Sequence, residues 1–119
     1  MSYKSLTEQQ RSLLYELKIT NGCGPEDWRW PKLNWFFKAN CLEHDYNYAV
    51  GGIEADRRMY DWGFYKAMLD DTRRVAWYAR PYARMKAWVF YTIVRLRGKS
   101  RFHYGKKRTY QELIDAYHP

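Results

Sequence analysis

Two adjacent glycines near the middle of the chain, Gly51 and Gly52, constrain the fold most, because they separate two segments with helical patterns. The first segment predicts a helix over 31–50, with a proline suited to its first turn. The second predicts a helix over 53–78, with apolar residues at helical spacing, before Pro81 interrupts it. So short a connection predicts that the two helices are antiparallel.

Further helices are predicted on either side of this pair. Thr7 and Gln10 form a capping box in front of a helix over 8–18. An aromatic-rich helical stretch covers 81–96, and a second capping box opens a short last helix over 109–117. No alternating strand pattern of convincing length is present. The chain is therefore predicted to be all-α, with four or five helices.

The composition bounds the size and the class of the protein. A chain of 119 residues with 46% hydrophobic content is long enough for one compact domain with its own core. We expect a single domain over 1–119, with a core over 20–75 and a basic, aromatic, helical C-terminal part over 76–119. No secretory signal is visible in the N-terminal residues, and no apolar run approaches the roughly 20 residues of a membrane-spanning helix.

Positive charge is concentrated in the C-terminal part. The chain has a net charge of +8, and no carboxylate lies between Thr72 and Gln111. Such a block attracts a polyanion, either anionic lipid headgroups or nucleic acid, although a solvated basic face is the simpler interpretation. The basic residues of this 73–108 segment are Arg73, Arg74, Arg80, Arg84, Lys86, Arg95, Arg97, Lys99, Arg101, Lys106, Lys107 and Arg108.

The residues with most chemical content lie on the predicted 31–50 helix. Residues three or four apart share a helix face, so Cys41, His44 and Tyr48 line up, while Asp45 is turned by about 100° from His44. One site can therefore present an imidazole, a carboxylate and a phenol together.

A glycine-rich loop precedes this helix. Its sequence, Asn-Gly-Cys-Gly-Pro over 21–25, permits backbone turns that aim carbonyl oxygens at a common point, and calcium accepts such carbonyls together with a carboxylate. Cys23 lies in the loop and Cys41 on the helix; the pair could be a disulfide, a reactive pair or two unrelated thiols.

These motifs together resemble the phospholipase A2 family, in particular its compact bacterial and phage-type branch. The resemblance rests on Cys-x-x-His-Asp-x-x-Tyr over 41–48 preceded by a Gly-Cys-Gly loop, and it covers about residues 21–68. It implies a core of two antiparallel helices with a calcium loop, plus N-terminal and C-terminal helices. It also implies a loop-to-helix disulfide between Cys23 and Cys41, and calcium bound by Asp45 with the carbonyls of Gly22 and Gly24.

The resemblance further implies a general base, His44, supported by Tyr48 and by a second carboxylate on the next helix. At 1.5 Å per residue from the glycine turn, His44 lies about 11 Å along one helix, and Asp61 about 14 Å and Asp56 about 7 Å along the other. Asp61 also begins an Asp-x-x-Phe-x-x-x-Met pattern similar to that of the family. We expect Asp61 to be the partner, with Asp56 in reserve.

The implied activity is calcium-dependent hydrolysis of the sn-2 ester of glycerophospholipids at a membrane surface. Trp28 and Trp30 in the loop are candidates for insertion at the lipid interface, although core packing is common for such residues. The alternative is a catalytically silent module of the same fold whose basic C-terminal half binds nucleic acid, membrane or a protein assembly. Without a visible signal, a lipase is expected to be exported by a dedicated system or packaged in a particle such as a virion.

Overall fold

The computed structural model of the protein describes residues 2–20 and 37–117. Within these ranges there is no strand, only an isolated bridge between Gly52 and Tyr104, so the predicted all-α class is confirmed. Short 3-10 turns connect several of the helices. The α-helices are α1 (Glu8–Glu16), α2 (Lys38–Val50), α3 (Glu54–Asp71), α4 (Arg80–Arg97) and α5 (Tyr110–Tyr117).

Helices α2 and α3 run antiparallel on either side of the glycine pair. His44 on α2 contacts Asp61 on α3, and Asn40, one turn earlier on α2, donates a 2.7 Å hydrogen bond to Asp71, later on α3. Earlier positions on α2 are therefore level with later positions on α3, as in an antiparallel pair. The predicted start of this helix at Pro31 lies outside the described residues. Within them, α2 begins at Lys38, with Phe37 as its N-cap.

The two predicted capping boxes are present and set the beginnings of α1 and α5. The Thr7 hydroxyl accepts from the Gln10 backbone at 3.1 Å, and the Thr109 hydroxyl accepts from the Glu112 backbone at 3.2 Å. Each hydroxyl satisfies a backbone donor that has no partner inside its helix. Helix α1 is shorter than predicted, since it ends at Glu16 rather than at residue 18.

Helix α3 ends at Asp71, so the predicted end near Tyr78 is wrong. The Thr72 hydroxyl turns back to donate a 2.6 Å hydrogen bond to the Leu69 carbonyl, and Val75 has extended backbone angles. Arg80 then donates to carbonyl groups of this segment, which reduces the cost of leaving the helix. Pro81 lies in the first turn of α4, where a missing N–H costs nothing.

Helix α2 is held between two apolar clusters. On one side Tyr46 and Ala49 pack with Leu14 of α1 and Leu113 of α5. On the other side lies a cluster from α2, α3 and α4, with members Phe37, Cys41, Phe64, Met68, Ala87 and Phe90. Burial on both sides fixes the rotation of α2 about its axis, and therefore the direction in which His44 points.

The C-terminal end of α2 is closed by a segment from much later in the chain. The last four carbonyl groups of the helix, in residues 47–50, have no partners inside it. They accept hydrogen bonds of 2.6–3.2 Å from the backbone N–H groups of Gly51, His103 and Arg108 and from the Arg108 guanidinium. The positive charge of Arg108 also suits the negative end of the helix dipole.

Glycine is required at position 51 for this arrangement. Its φ of +83° is one that other residues rarely adopt, and a Cβ there would collide with the backbone carbonyl oxygen of His103. The turn between α2 and α3 and the approach of the C-terminal segment therefore depend on the same residue.

No α-helix in the described ranges is both long and apolar enough to cross a bilayer.

Candidate active site

His44 and Asp61 meet in the interior between α2 and α3. The Nε2 atom of His44 lies 2.7 Å from Oδ1 of Asp61, and the Asp61 side chain is 0% exposed. The two residues belong to neighbouring antiparallel helices, which bring them level with each other. Asp61 is thus the carboxylate that meets the imidazole; whether it acts in catalysis remains a prediction.

Asp61 is held by further donors on both oxygens. The Tyr48 hydroxyl donates a 2.6 Å hydrogen bond to Oδ1, and Arg95 from α4 donates one of 2.7 Å to Oδ2. Arg57 lies 3.6 Å from Oδ2. Burial alone would raise the pKa of Asp61, but the hydrogen bonds from His44, Tyr48 and Arg95 together hold it below its ordinary value. Asp61 is therefore ionised at neutral pH.

The charge on Asp61 fixes the tautomer of His44. An ionised carboxylate only accepts hydrogen bonds, so the proton on Nε2 is donated to Asp61 and Nδ1 carries a lone pair. Within the described residues no group forms a hydrogen bond with Nδ1, so none of them occupies its lone pair.

Aromatic rings fix the plane of the imidazole. The Phe64 ring stacks on His44 with centroids 4.5 Å apart, and the Tyr48 ring lies 4.3 Å away. Burial and the hydrogen bond to Asp61 raise the pKa of Tyr48, so its hydroxyl keeps its proton and remains a donor. A Cβ on Gly98 would lie 2.5 Å from that hydroxyl, which shows how closely the end of α4 covers it.

Asp56, the reserve candidate, does not reach His44. Its Oδ2 accepts a 3.0 Å hydrogen bond from the backbone of Ile53, and its Oδ1 lies 3.5 Å from the Lys107 ammonium. Asp56 therefore caps the beginning of α3 and helps to attach the C-terminal segment to it.

The calcium loop predicted from the sequence lies outside the described residues, and with it Gly22, Cys23, Gly24, Trp28 and Trp30.

The described part of the proposed calcium site is Asp45. It is half-buried on α2 next to His44, and a carboxylate is a ligand that calcium accepts. The described ranges contain no group of three His, Cys, Asp or Glu side chains able to hold a metal. A calcium site made mainly of loop carbonyls is compatible with this finding. Cys41 is buried, and no described cysteine has a free thiol.

A cavity of about 280 Å³ opens beside the His44–Asp61 pair, between α2 and α3. It is lined on the α2 side by Asn40, His44 and Asn47 and on the α3 side by Tyr60 and Phe64. Both polar and apolar groups line it, and it is large enough for a water and part of an organic ligand.

Arg57 and Arg95 contact the site, and neither is among the site residues predicted from the sequence. Arg57 also donates to Glu54 at 2.8 Å and to the Val94 carbonyl at 3.1 Å, so it ties α3 to α4. In the sequence Arg95 is one of twelve basic residues in a block without carboxylates, and nothing in the spacing distinguishes it. The only indication in the sequence that Arg95 faces the interior is the apolar character of its neighbours on the same side of the helix. Many residues of α4 share this feature.

Comparison of the chain with protein-family models, with curated proteins and with solved structures finds no match.

Proposed function

We propose that the protein is a calcium-dependent phospholipase A2-type hydrolase that cleaves the sn-2 ester of glycerophospholipids. The single observation that carries the proposal is the buried His44–Asp61 pair, with Nε2 facing the carboxylate at 2.7 Å. An imidazole held in this tautomer is suited to activate water, because its second nitrogen is a base while the carboxylate stabilises the cation that forms. The neighbouring Asp45 and the glycine-rich loop support the choice of reaction.

Nδ1 of His44 takes a proton from the water that attacks the ester carbonyl. The imidazolium that forms is stabilised by Asp61, whose charge lies 2.7 Å from Nε2. Stacking on Phe64 keeps the ring in place as its charge changes. The same proton is then available to the leaving alkoxide. Because water and not a side chain attacks the carbonyl, no covalent acyl-enzyme is formed.

Asp45 and the carbonyl oxygens of Gly22 and Gly24 would hold the calcium ion. When bound, this ion supplies a Lewis acid that polarises the ester carbonyl and stabilises negative charge on its oxygen. A disulfide between Cys23 and Cys41 would anchor the loop to α2, in agreement with the absence of a free thiol at Cys41.

The test is a calcium titration with fatty-acid release measured from mixed phospholipid vesicles. Wild type should release fatty acid only with calcium, and His44→Ala should lose release while still binding calcium. His103→Ala is the matched control, because His103 lies outside the His44–Asp61 pair. Normal release by the His44→Ala protein, or no calcium-dependent release by wild type, would contradict the proposal.

A binding module is the second candidate, favoured by the exposure of the basic block. Nine of its twelve cationic side chains are exposed, whereas Lys86 is buried and Arg95 and Arg108 are half-buried. Exposed cations attract nucleic acid phosphates in a manner that weakens steeply with salt. Salt-sensitive binding to duplex DNA without fatty-acid release from vesicles would favour the module. The exposed cations are Arg73, Arg74, Arg80, Arg84, Arg97, Lys99, Arg101, Lys106 and Lys107.

A further inference from the structure

Helix α4 exposes a row of large apolar side chains on the side that faces away from the core. Met85, Trp88, Ile93 and Leu96 project within an arc of about 140° at 100° per residue. Their exposed fractions are 48%, 54%, 38% and 77%. We call these four residues the outer face of α4.

The outer face is not needed for the internal packing of the protein. The opposite side of α4 already supplies Ala83, Ala87 and Phe90 to the core, and all three are buried. Helix α4 is thus apolar on two sides, and only one is covered. Several large apolar side chains exposed along one helix are unfavourable in water and indicate an interaction surface.

Two more aromatic residues are exposed just before the helix begins. Trp77 and Tyr78 are 77% and 73% exposed, and their rings contact each other at 5.8 Å. Rings with an apolar body and a polar group are favoured where hydrocarbon meets headgroups.

Exposed cations flank the outer face at both ends. Arg84 directly precedes Met85, the first residue of the outer face. Arg97, Lys99 and Arg101 follow Leu96, its last residue. None of the last three forms an ion pair within residues 2–20 and 37–117. Their charges are therefore available to an anionic partner.

We propose that the outer face of α4 docks the protein on the surface of an anionic lipid bilayer. The helix lies parallel to the membrane, with Met85, Trp88 and Leu96 in the outer hydrocarbon and the flanking cations among the headgroups. A helix with an apolar face and basic residues beside it binds membranes in this way.

The apolar residues decide between a lipid surface and other polyanions. A nucleic acid backbone would attract the cations but would leave Trp88 and Leu96 in water. A second copy of the chain would cover the apolar side chains but would bring two sets of exposed cations together. Of these three partners, the anionic bilayer is the one that satisfies both kinds of group at once.

The docking surface goes beyond the proposed hydrolysis and does not depend on it. His44 contacts Phe64 and Asp61 on the inner side of the helices, whereas the outer face lies on the solvent side of α4. Binding is therefore expected to persist when His44 is replaced and when calcium is removed.

The test is co-sedimentation with vesicles of equal parts phosphatidylcholine and phosphatidylglycerol, with chelator present so that no lipid is hydrolysed. Trp88→Ser with Leu96→Ser should lower the partition coefficient roughly tenfold or more, because two large apolar groups no longer leave water. Ile53→Ser is the matched control, since Ile53 is 63% exposed but lies at the glycine turn. Thermal unfolding of each variant verifies that it is folded.

A second pair of variants tests the charges. Arg97→Gln with Lys99→Gln should lower partition roughly tenfold at low salt and little at high salt. Arg58→Gln with Lys66→Gln removes the same charge from exposed positions on α3 and should have a smaller effect.

Three outcomes would overturn the proposal. One is equal partition of the Trp88→Ser, Leu96→Ser protein and the Ile53→Ser control. Another is a wild-type protein that elutes as a dimer and stays with the supernatant. A third is wild-type binding to duplex DNA in preference to these vesicles. Since the readout is partition and not fatty-acid release, an inactive protein that binds the vesicles would refute only the hydrolase.

Discussion

At the scale of single residues, Asp61 is shared between the imidazole and two guanidinium groups. Arg95 donates to the same carboxylate that accepts from His44, so part of its negative charge is offset by a permanent cation. The arrangement keeps Asp61 ionised and firmly placed beside the imidazole.

Asp61→Asn should remove the support of the imidazole while keeping the shape of the side chain. An amide can present either a donor or an acceptor to Nε2, so the tautomer with a free Nδ1 is no longer enforced. We expect kcat to fall by roughly 10²- to 10⁴-fold, the usual contribution of general base catalysis. Asp56→Asn is the control and should change kcat little, because Asp56 contacts Ile53 and Lys107 instead. Equal losses in both variants would contradict the role of Asp61.

Arg95→Gln should change the pH dependence of activity. Removing the guanidinium that lies 2.7 Å from Asp61 takes away one of the hydrogen bonds that hold the pKa of this carboxyl below its ordinary value, so Asp61 is protonated at higher pH. The acid limb of the kcat/KM profile should therefore move to higher pH. Arg97→Gln removes an exposed cation of the same helix and is expected to leave the limb in place. A profile that shifts to lower pH in Arg95→Gln would contradict this electrostatic role.

The sequence predicts the pairing of His44 with Asp61 but not the two arginines around it. Helix geometry alone preferred Asp61 to Asp56, because the distance from the glycine turn is fixed by the rise per residue. Arg95 is not identifiable from the sequence, because its partner Asp61 is 34 residues away and long-range pairing of charges has no local signature. Arg57 lies four residues before Asp61, a spacing at which side chains meet on a helix, but an arginine on an amphipathic helix is usually solvated.

At the scale of helices, the glycine turn joins three parts of the chain. Gly51 lies between α2 and α3, and its N–H closes the end of α2 while the adjacent Gly52 exchanges hydrogen bonds with His103 and Gly105. Substitution there has consequences in all three parts.

Gly51→Ala should destabilise the protein, and Gly63→Ala should stabilise it. Alanine at 51 would be strained at φ +83° and would collide with the His103 carbonyl, whereas a Cβ at 63 meets nothing within 4 Å inside α3. We expect a loss of at least about 1 kcal/mol of unfolding free energy at 51 and a gain of about 0.5–1 kcal/mol at 63. Urea unfolding of both variants is the measurement, and the same sign for both changes would contradict the argument.

The beginnings of helices were easier to predict than their ends. The capping boxes at Thr7 and Thr109 are local signals within four residues, and both are present. The end of α3 depends on the Thr72 hydroxyl and on Arg80, which donates hydrogen bonds to carbonyl groups of the next segment. Threonine is compatible with a helix, so its role in ending one becomes visible only in three dimensions.

At the scale of the whole molecule, stability should decline in acid, over the pH range below the ordinary pKa of its carboxylates. Hydrogen bonds from Arg57 and Tyr104 lower the pKa of Glu54 from 4.5 to about 2, and the pKa of Asp61 is also lowered. The unfolded chain therefore binds protons first as pH falls. The stability contributed by these groups is complete above pH 4.5 and is lost as pH falls toward 2.

Thermal unfolding between pH 7 and pH 2 measures this dependence. The unfolding temperature should be nearly constant down to about pH 5 and should then fall, and Glu54→Gln should flatten part of the decline. Glu8→Gln is the control, as Glu8 is exposed at the beginning of α1. An unfolding temperature that rises below pH 4 would contradict the sign of the effect.

The closure of α2 by residues 103–108 has a consequence for the order in which the protein can become functional during synthesis. His44 and Asp61 leave the ribosome early, but Arg95 and Arg108, which hold the carboxylate and the end of its partner helix, follow much later. A nascent chain lacks these two contacts until residues 95–108 have been translated and have folded back onto α2 and α3. The proposed lipolytic capacity would then be complete only once this late segment is in place.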